Sequence, residues 1–551
     1  MKKLTTMTLT IILALSMVFI LAACGGGNDT APETKPAPEQ TPEEPKETTP
    51  ASEPEPESEM NQVTQFKYYD DYFAIDIDGN LWGFDSGLTH ILDNVESIDN
   101  IYGRSMFALK TDGSLWAWGE NNQFLLGDGT TETQLSPVHI IDDVKSFEQV
   151  FDNEGYVSTY VVKTDGSLWA WGGNAENARI GDGTDEVRTS PVHIMDGVET
   201  LYLTYYHNFV IKTDGSFWGW SNSDTYVGKV GFGESNGMHL SPVHLMDDVV
   251  EFFENATTLS VIKKDGSLWS WGDLVIAFGA DGRQLQTTGV LNPVHIMDDV
   301  EFYFNNPNMH FAIQSDGSLW SWGYTVSCLQ HEADDPVWLG NGTEDGSLRP
   351  VHILDGVDSL ISVTSFARIN PISVDRTIFT IKKDGSLWAW GDNTIGLIGD
   401  GTNENRTAPV HVMDDVASFV TFTESMDIAT ESYRIIRSLM VIKTDGSLWA
   451  WGENDRGQLG DGTKENRQSP VHIADNVKEL LPYGIFIKTD NSLWVFGENT
   501  PDGSLTPFHV IDDVDTVIDN FGVIDSIIKT DGTLWRVWSD TPKQFMFEVP
   551  A

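Results

Sequence analysis

Histidine recurs in this sequence at a regular spacing that could serve metal binding. Nine of the 13 histidines occupy the same place in a Pro-Val-His-Ile-like string, namely His90, His139, His193, His244, His295, His352, His411, His472 and His509. A structural zinc site needs four ligands that converge on one ion. One histidine per repeat is instead spread over equivalent positions, so we interpret these side chains as structural.

Aspartate also recurs, and its carboxylate oxygens are the ligands that Ca²⁺ prefers. The candidates are Asp-Asp pairs such as Asp142-Asp143, Asp298-Asp299 and Asp414-Asp415, and Gly-Asp-Gly-Thr strings with Asp128, Asp182, Asp400 and Asp461. None has the spaced acidic register of a calcium loop. Asp-Gly is also a common turn dipeptide. We therefore predict no metal and no cofactor, with calcium as the alternative.

No arrangement typical of an enzyme is present. Cys328, His331, Asp334 and Asp335 cluster in one insertion but lack a second ligand motif, so a surface loop is the better interpretation. The sequence contains no nucleophile elbow, phosphate-binding loop or zinc-protease helix. We expect a non-catalytic protein.

The elements that carry these residues form a repeat. A string close to Lys-Thr-Asp-Gly-Ser-Leu-Trp-Ala-Trp-Gly occurs ten times, and 18 of the 19 tryptophans lie in it. We assign a structural role to the first tryptophan of eight copies, namely Trp116, Trp169, Trp218, Trp269, Trp320, Trp388, Trp449 and Trp494. Trp338 stands outside the repeat.

Each string predicts a β-hairpin, because Asp-Gly between alternating apolar residues is a strong hairpin signal. A type I′ turn at Asp112-Gly113 would pair Leu109 with Trp116 and Phe107 with Trp118, which puts these four side chains on one face. Ala117 would then face a neighbouring sheet. The Pro-Val-His-Ile string predicts a further strand with proline in its first position. The segment from Thr541, TPKQFMFEV, is a degenerate tenth copy of that string.

A small sheet repeated about every 50 residues cannot bury its faces alone, and radial stacking solves this problem. We therefore predict an all-β propeller over residues 62–551. An open solenoid is the alternative, although its repeats are usually shorter.

The segment DGSLWAWGENDRGQLGDGTKENRQSPVHI from Asp445 resembles the repeat of the regulator of chromosome condensation family. The resemblance recurs over residues 62–551 and implies a propeller with about one repeat per blade, seven blades being typical of the family. Ten hairpins depart from that number. A larger ring, seven blades with extra units outside, and two smaller rings all remain open. Relatives that use the propeller as a protein-binding disc suggest a binding role, whereas nuclear nucleotide exchange does not fit the leader described next.

The N-terminus predicts a membrane-tethered protein outside the cytoplasm. Residues 1–23 combine two lysines, a short apolar run and small residues before Cys24, which resembles a bacterial lipoprotein signal with Cys24 as the lipidated residue. The alternatives are a transmembrane helix, for which the apolar run is short, and a simple secretory signal. Residues 24–61 are rich in proline and glutamate, which predicts a disordered stalk.

The net charge of −50 excludes nucleic acid as a partner, because such binding draws its affinity from lysine and arginine. The leader and stalk leave −44 on residues 62–551. Much of this acidity belongs to turns, since each hairpin supplies its own aspartate.

Two neighbouring repeats carry longer connections than the others. The distance from the valine after the histidine string to the residue that opens the next hairpin is 14 residues at Val198, 25 at Val357 and 27 at Val416. We predict binding by these loops and by a third insertion, with Phe366, Arg368, Arg376, Tyr433, Arg434, Arg437 and Trp338 as candidates, because arginine and aromatic residues are enriched in binding hot spots. The expected partner is a protein at the cell surface. An envelope glycan is the alternative, and a spacer without a ligand is a third hypothesis.

Overall fold

The structure is a computed structural model of the chain. It describes residues 62–63, 66–69, 73–76, 78–83, 89–101, 105–121, 125–151, 157–173, 180–204, 207–221, 239–255, 258–272, 290–305, 309–323, 337–364, 376–422, 438–481, 484–497, 500, 504–520, 523–531, 533–536, 543–544 and 547–548. The predicted signal, Cys24 and the stalk lie outside these residues.

Ten four-stranded antiparallel sheets follow one another along the chain, each built from four consecutive strands in sequence order. We number these sheets as blades 1 to 10. Blade 1 consists of β2 (Phe66–Tyr69), β3 (Phe73–Asp76), β4 (Leu81–Gly83) and β5 (Thr89–Leu92). Blade 2 consists of β6 (Val95–Ile101), β7 (Ser105–Lys110), β8 (Leu115–Gly119) and β9 (Gln134–Ile141). Blade 3 consists of β10 (Val144–Phe151), β11 (Val157–Lys163), β12 (Leu168–Gly172) and β13 (Arg188–Met195). Blade 4 consists of β14 (Val198–Leu203), β15 (His207–Lys212), β16 (Phe217–Ser221) and β17 (His239–Met246). Blade 5 consists of β18 (Val249–Asn255), β19 (Thr258–Lys263), β20 (Leu268–Gly272) and β21 (Val290–Met297).

The second half of the chain repeats the same unit. Blade 6 consists of β22 (Val300–Asn305), β23 (Met309–Gln314), β24 (Leu319–Gly323) and β25 (Ser347–Leu354). Blade 7 consists of β26 (Val357–Thr364), β27 (Arg376–Lys382), β28 (Leu387–Gly391) and β29 (Arg406–Met413). Blade 8 consists of β30 (Val416–Phe422), β31 (Ser438–Lys443), β32 (Leu448–Gly452) and β33 (Arg467–Ala474). Blade 9 consists of β34 (Val477–Leu481), β35 (Ile485–Lys488), β36 (Leu493–Val495) and β37 (Phe508–Ile511). Blade 10 consists of β38 (Val514–Asn520), β39 (Val523–Lys529), β40 (Leu534–Arg536) and β41 (Lys543–Gln544).

The predicted propeller is confirmed, and it has ten blades. Apolar clusters join successive blades; between blades 2 and 3, for example, Phe107 and Ala117 pack with Val161 and Trp171. The two ends of the repeat region meet because β1 (Gln62–Val63) pairs with β42 (Phe547–Glu548). Blade 10 takes its fourth strand from the degenerate repeat at Thr541, as predicted, since Trp535 pairs with Gln544 where other blades pair tryptophan with histidine. A ring of ten exceeds the usual four to eight blades.

The predicted register of the hairpins is wrong by one residue. Trp116 pairs with Ala108 and not with Leu109, and Ala117 pairs with Phe107. The turn is a three-residue loop in which the Gly113 N–H donates to the Lys110 carbonyl at 2.9 Å and Gly113 has a φ of 81°. Such loops combine a type I turn with one left-handed residue, whereas type I′ requires two.

The side chain of Asp112 accounts for this turn type. Its Oδ1 atom accepts hydrogen bonds from the Ser114 N–H at 3.0 Å and from the Ser114 hydroxyl at 2.6 Å. This local bonding favours a turn in which only the glycine has positive φ. The tryptophans therefore face one neighbouring blade, and Phe107 and Leu109 face the other.

The proline of the fourth strand is also misplaced by the sequence prediction. Pro137 is the fourth residue of β9, not the first. Because β9 lies at the edge of its sheet, the missing N–H costs no hydrogen bond of the ladder. Ala117, the small residue between the tryptophans, is fully buried and belongs to the apolar cluster shared with blade 3. At the equivalent Gly219 a Cβ atom would lie 2.8 Å from the Phe209 ring of the same sheet.

The pairing of β1 with β42 predicts that a disulfide can lock the ring. In a chain whose two natural cysteines are replaced by serine, Val63→Cys with Phe547→Cys should form a disulfide, because the two Cα atoms are direct partners in the ladder. Closing so long a loop should stabilise the fold by about 2–4 kcal/mol, read as a higher Tm without reductant.

The reduced form of the same variant is the control. A free thiol count of two under oxidising conditions, or equal Tm values with and without reductant, would contradict the pairing.

Candidate functional site

Each blade has two ends. The end with the hairpin turn also holds the link from the fourth strand to the next blade, and we call it the turn end. The other end carries the connections from the first to the second strand and from the third to the fourth strand, and we call it the loop end. The repeated histidines lie towards the turn end, and the extended connections lie at the loop end.

The repeated tryptophan and histidine contact each other in every blade that carries both. In blade 2 the Trp116 and His139 rings meet edge to face with their centroids 5.5 Å apart. Trp116 Nε1 donates to the Ser114 hydroxyl at 3.0 Å, and Lys110 Nζ lies 5.6 Å from the indole centroid. The same ring pair recurs at Trp82–His90, Trp169–His193, Trp218–His244, Trp269–His295, Trp320–His352, Trp388–His411, Trp449–His472 and Trp494–His509. These side chains act within their own blades.

The two residues of each Asp-Asp pair have different structural roles. Asp142 Oδ1 lies 2.8 Å from His139 Nε2. Asp143 adopts a left-handed conformation with a φ of 62°, and its carbonyl accepts from the Thr164 N–H of the next hairpin at 2.8 Å. Asparagine or glycine takes the second position in some blades, as at Asn94 and Gly197, because these residues tolerate positive φ. Within the described ranges no three His, Cys, Asp or Glu side chains are grouped to hold a metal ion, and the insertion with Cys328 lies outside those ranges.

The Gly-Asp-Gly-Thr strings build the loop between the third and fourth strands. The Asp461 carboxylate is 6% exposed and accepts from Arg467 Nε at 2.5 Å and from the Thr463 hydroxyl at 2.8 Å. Burial opposes ionisation of Asp461, but the bonds from Thr463 and Arg467 outweigh it, so the pKa of this carboxyl is lowered. Asn454 is fully buried and accepts from the Leu459 N–H at 3.0 Å.

This loop fastens one blade to the next through the second tryptophan of the repeat. Trp451 of blade 8 is fully buried, and its Nε1 atom donates to the carbonyl of Leu397 in blade 7 at 2.8 Å. The indole lies against Gly399, where an added Cβ would come within 2.5 Å of Nε1. Trp171 makes the same bond to Leu125 at 2.8 Å. We call this contact the tryptophan latch.

The structure places the bases of the two extended connections side by side. In blade 7 the ladder between β26 and β27 runs to the pair Thr364 and Arg376 at the loop end. In blade 8 the ladder between β30 and β31 runs to the pair Phe422 and Ser438 at the same end. A shared apolar cluster packs the two blades together. Arg376 is thus the first residue of β27, while five candidates lie outside the described residues, namely Phe366, Arg368, Tyr433, Arg434 and Arg437.

Trp338 is not a surface residue, and its prediction as a binding residue is corrected. It is 2% exposed and belongs to the apolar cluster between blades 6 and 7. Its carbonyl accepts from Trp390 Nε1 at 3.1 Å, so it occupies the latch position of its blade. The sequence signal for this role was present, because Val-Trp-Leu-Gly-Asn-Gly-Thr at Val337 aligns with the Gly-Asp-Gly-Thr strings of the other repeats.

Two parts of the chain match a known repeat. Residues 112–151 and 445–479 match the Regulator of chromosome condensation (RCC1) repeat. These segments run from the hairpin turns of blades 2 and 8 into the first strands of the following blades. The matched unit therefore includes the latch loop and one blade boundary.

Curated proteins with similar sequences cover much of this chain. The chain is 23% identical over 376 residues to the E3 ubiquitin-protein ligase HERC2 of Mus musculus, which covers 67% of this chain but 6% of that protein. It is 22% identical over 387 residues to the Ultraviolet-B receptor UVR8 of Arabidopsis thaliana, with 66% of this chain and 79% of that protein covered. Among solved structures, Prp20p of Saccharomyces cerevisiae is similar at 14% identity with a TM-score of 0.34, covering 67% of this chain and 87% of that chain. The chain thus spans only a small part of the HERC2 proteins.

The described residues include no helix of the length and apolar character that crossing a membrane requires.

Removing one latch should weaken the ring measurably. Trp451→Phe keeps most of the apolar surface but deletes the indole N–H and leaves the Leu397 carbonyl without its donor. We expect a loss of about 1–3 kcal/mol, measured by urea unfolding followed at the boundary of blades 7 and 8.

Trp449→Phe is the matched control, because its N–H donates to the buried Ser447 hydroxyl of its own blade and crosses no blade boundary. An equal or larger loss in the control would contradict the latch.

The hairpin aspartates should make stability depend on pH below about 4. The Ser447 hydroxyl and then the Ser447 N–H lower the pKa of Asp445 below its ordinary value. Its stabilisation is therefore present above the unfolded pKa and is lost as pH falls through the folded pKa. The Tm difference between the wild type and Asp445→Asn should be constant above about pH 5 and should shrink as pH falls below about 4. A difference that does not change with pH would refute this role for the carboxylate.

Proposed function

We propose that this chain is a lipid-anchored propeller outside the cytoplasm that binds a protein partner through the loop end of blades 7 and 8, without catalysis of its own. One observation carries the proposal. Two neighbouring blades that share an apolar cluster hold their long connections at the same end of the ring. Because their bases lie at the same end of neighbouring blades, one partner could engage both connections on a rigid support.

The chemistry of these connections favours a protein as the partner. They contain Phe366, Arg368, Tyr433, Arg434 and Arg437 within a domain that carries −44 overall. Arginine and tyrosine are enriched in the few interface residues that dominate binding energy. The surrounding acidity repels polyanions, so a partner must present a local acidic or apolar patch and not an extended negative surface.

The similar proteins support the scaffold role but not a specific activity. An E3 ubiquitin-protein ligase and an ultraviolet-B receptor are both similar in sequence to this chain, and their names denote different activities. A fold that serves unrelated activities does not carry an activity with it.

The proposed tether rests on the sequence Leu-Ala-Ala-Cys at Leu21–Cys24 and on the proline-rich residues that follow. A lipid on Cys24 would attach the chain to a membrane, and the stalk could reach about 100 Å when fully extended. The ring could then meet partners at a distance from the bilayer.

The binding surface can be tested by photo-crosslinking in the cells of origin. A photoreactive amino acid at position 368 or 434 should capture a discrete protein, because both positions lie in the extended connections. The matched control places the same residue at Lys145 and Lys264, which are exposed in blades 3 and 5 outside these connections.

Charge reversal gives the second arm of this test. Arg368→Glu with Arg434→Glu should weaken the captured complex at least tenfold, whereas Lys145→Glu with Lys264→Glu changes the net charge equally and should not. Capture that is equal at both sets of positions would overturn the proposal. Retention of the intact chain on purified envelope polysaccharide, with no captured protein, would favour the glycan alternative.

The anchor has its own test, independent of the ligand. Cys24→Ser should abolish incorporation of labelled fatty acid and release the chain from the membrane fraction. Labelling that persists in this variant would contradict Cys24 as the lipidated residue.

A further inference from the structure

One histidine of the ring has surroundings unlike those of the nine repeated ones. His310 lies in the second strand of blade 6, and its Nδ1 atom is 2.7 Å from the Tyr303 hydroxyl. Its ring stacks on Trp322, with centroids 5.4 Å apart and planes at 9°. Tyr303 and Trp322 are 2% and 5% exposed, so the partly buried imidazole contacts two buried aromatic rings.

Hydrogen bonds connect this histidine to the neighbouring blade. The Ser260 hydroxyl of blade 5 donates to the Tyr303 hydroxyl at 3.2 Å and lies 2.8 Å from the Ser270 hydroxyl. Ser260 is fully buried and Ser270 is 5% exposed. Around this chain, Ile262 and Leu268 of blade 5 pack with Val300 and Ala312 of blade 6. His310 therefore ends a polar chain that crosses an otherwise apolar boundary.

A neutral imidazole fits this chain of bonds. The Ser260 hydroxyl donates to the Tyr303 hydroxyl, which leaves the Tyr303 O–H to donate to a lone pair on His310 Nδ1 2.7 Å away. Tyr303 is the titratable group that faces the ring from β22, Trp322 faces it from β24, and the serines approach through Tyr303 from β19 and β20. A proton on Nδ1 would put this N–H against the Tyr303 O–H, and the bond could form again only if the buried tyrosine hydroxyl turned its proton away.

We infer that His310 is an acid-sensitive switch in the ring: protonation of its imidazole breaks the bond to Tyr303 and opens the boundary between blades 5 and 6. The latches described at other boundaries are bonds between an indole N–H and a carbonyl, which do not titrate in this range.

The pH window follows from burial. Burial lowers the pKa of His310 to about 4, from an ordinary value of about 6.5 in the unfolded chain. The folded ring thus binds fewer protons than the open one between these values, and stability is lost as pH falls from about 6.5 to about 4. This window lies above that of the hairpin aspartates, so the two effects can be separated.

Hydrogen exchange of the full chain tests the switch locally. The wild type and His310→Phe, which keeps an aromatic ring against Trp322 but cannot be protonated, are compared at each pH for peptides from β19, β22 and β23. Relative to the variant, opening of this boundary in the wild type should increase up to tenfold for each pH unit between about 6.5 and 4. His411→Phe, an exposed histidine of blade 7, is the control and should match the wild type.

Equal pH dependence in the wild type and His310→Phe would overturn the inference. If the variant does not fold, the pH titration of the His310 ring, followed by NMR in the wild type, tests the inference. A midpoint well below 6 supports the switch, and a midpoint near 6.5 refutes it.

Discussion

A four-stranded blade has two apolar faces and can bury them only against other blades. The rest of this structure depends on that constraint. One face of each blade carries the tryptophans and packs on one neighbour. The opposite face, which carries Phe107 and Leu109 in blade 2, packs on the other neighbour. The apolar clusters therefore lie between blades. A chain of such units has two unsatisfied ends. The pairing of β1 with β42 removes both by closing the circle.

Directed bonds hold these apolar contacts in register. Hydrophobic burial sets no particular angle between two sheets, but the tryptophan latch fixes an indole nitrogen against one carbonyl of the preceding blade. The glycine beneath the indole is required because any Cβ there would collide with the ring. A tryptophan of one blade, together with a leucine carbonyl and a glycine of the preceding blade, thus sets the relative orientation of the two blades. The boundary of blades 5 and 6 also carries a chain of serine, tyrosine and histidine side chains.

Much of this architecture could be predicted from the sequence, because the repeat itself encodes it. Ten hairpins, the fourth strand and the propeller were all predictable from spacing and turn residues, and so were the tightly packed small residues such as Ala117. The register was not, because the choice between turn types depends on how the Asp112 side chain bonds Ser114. Trp338 was misjudged for a similar reason, since its burial depends on the blade that covers it. The candidate loops are visible as insertions, but which end of the ring they share follows only from the ladders that carry them.

The central claim is that ten repeats close into one ring. Electron microscopy of the purified full chain tests it most directly, since class averages viewed along the axis count the blades. We expect a single closed annulus with ten radial units. An open arc, two smaller rings, or a seven-unit ring with additional density outside it would contradict closure of ten blades into one ring.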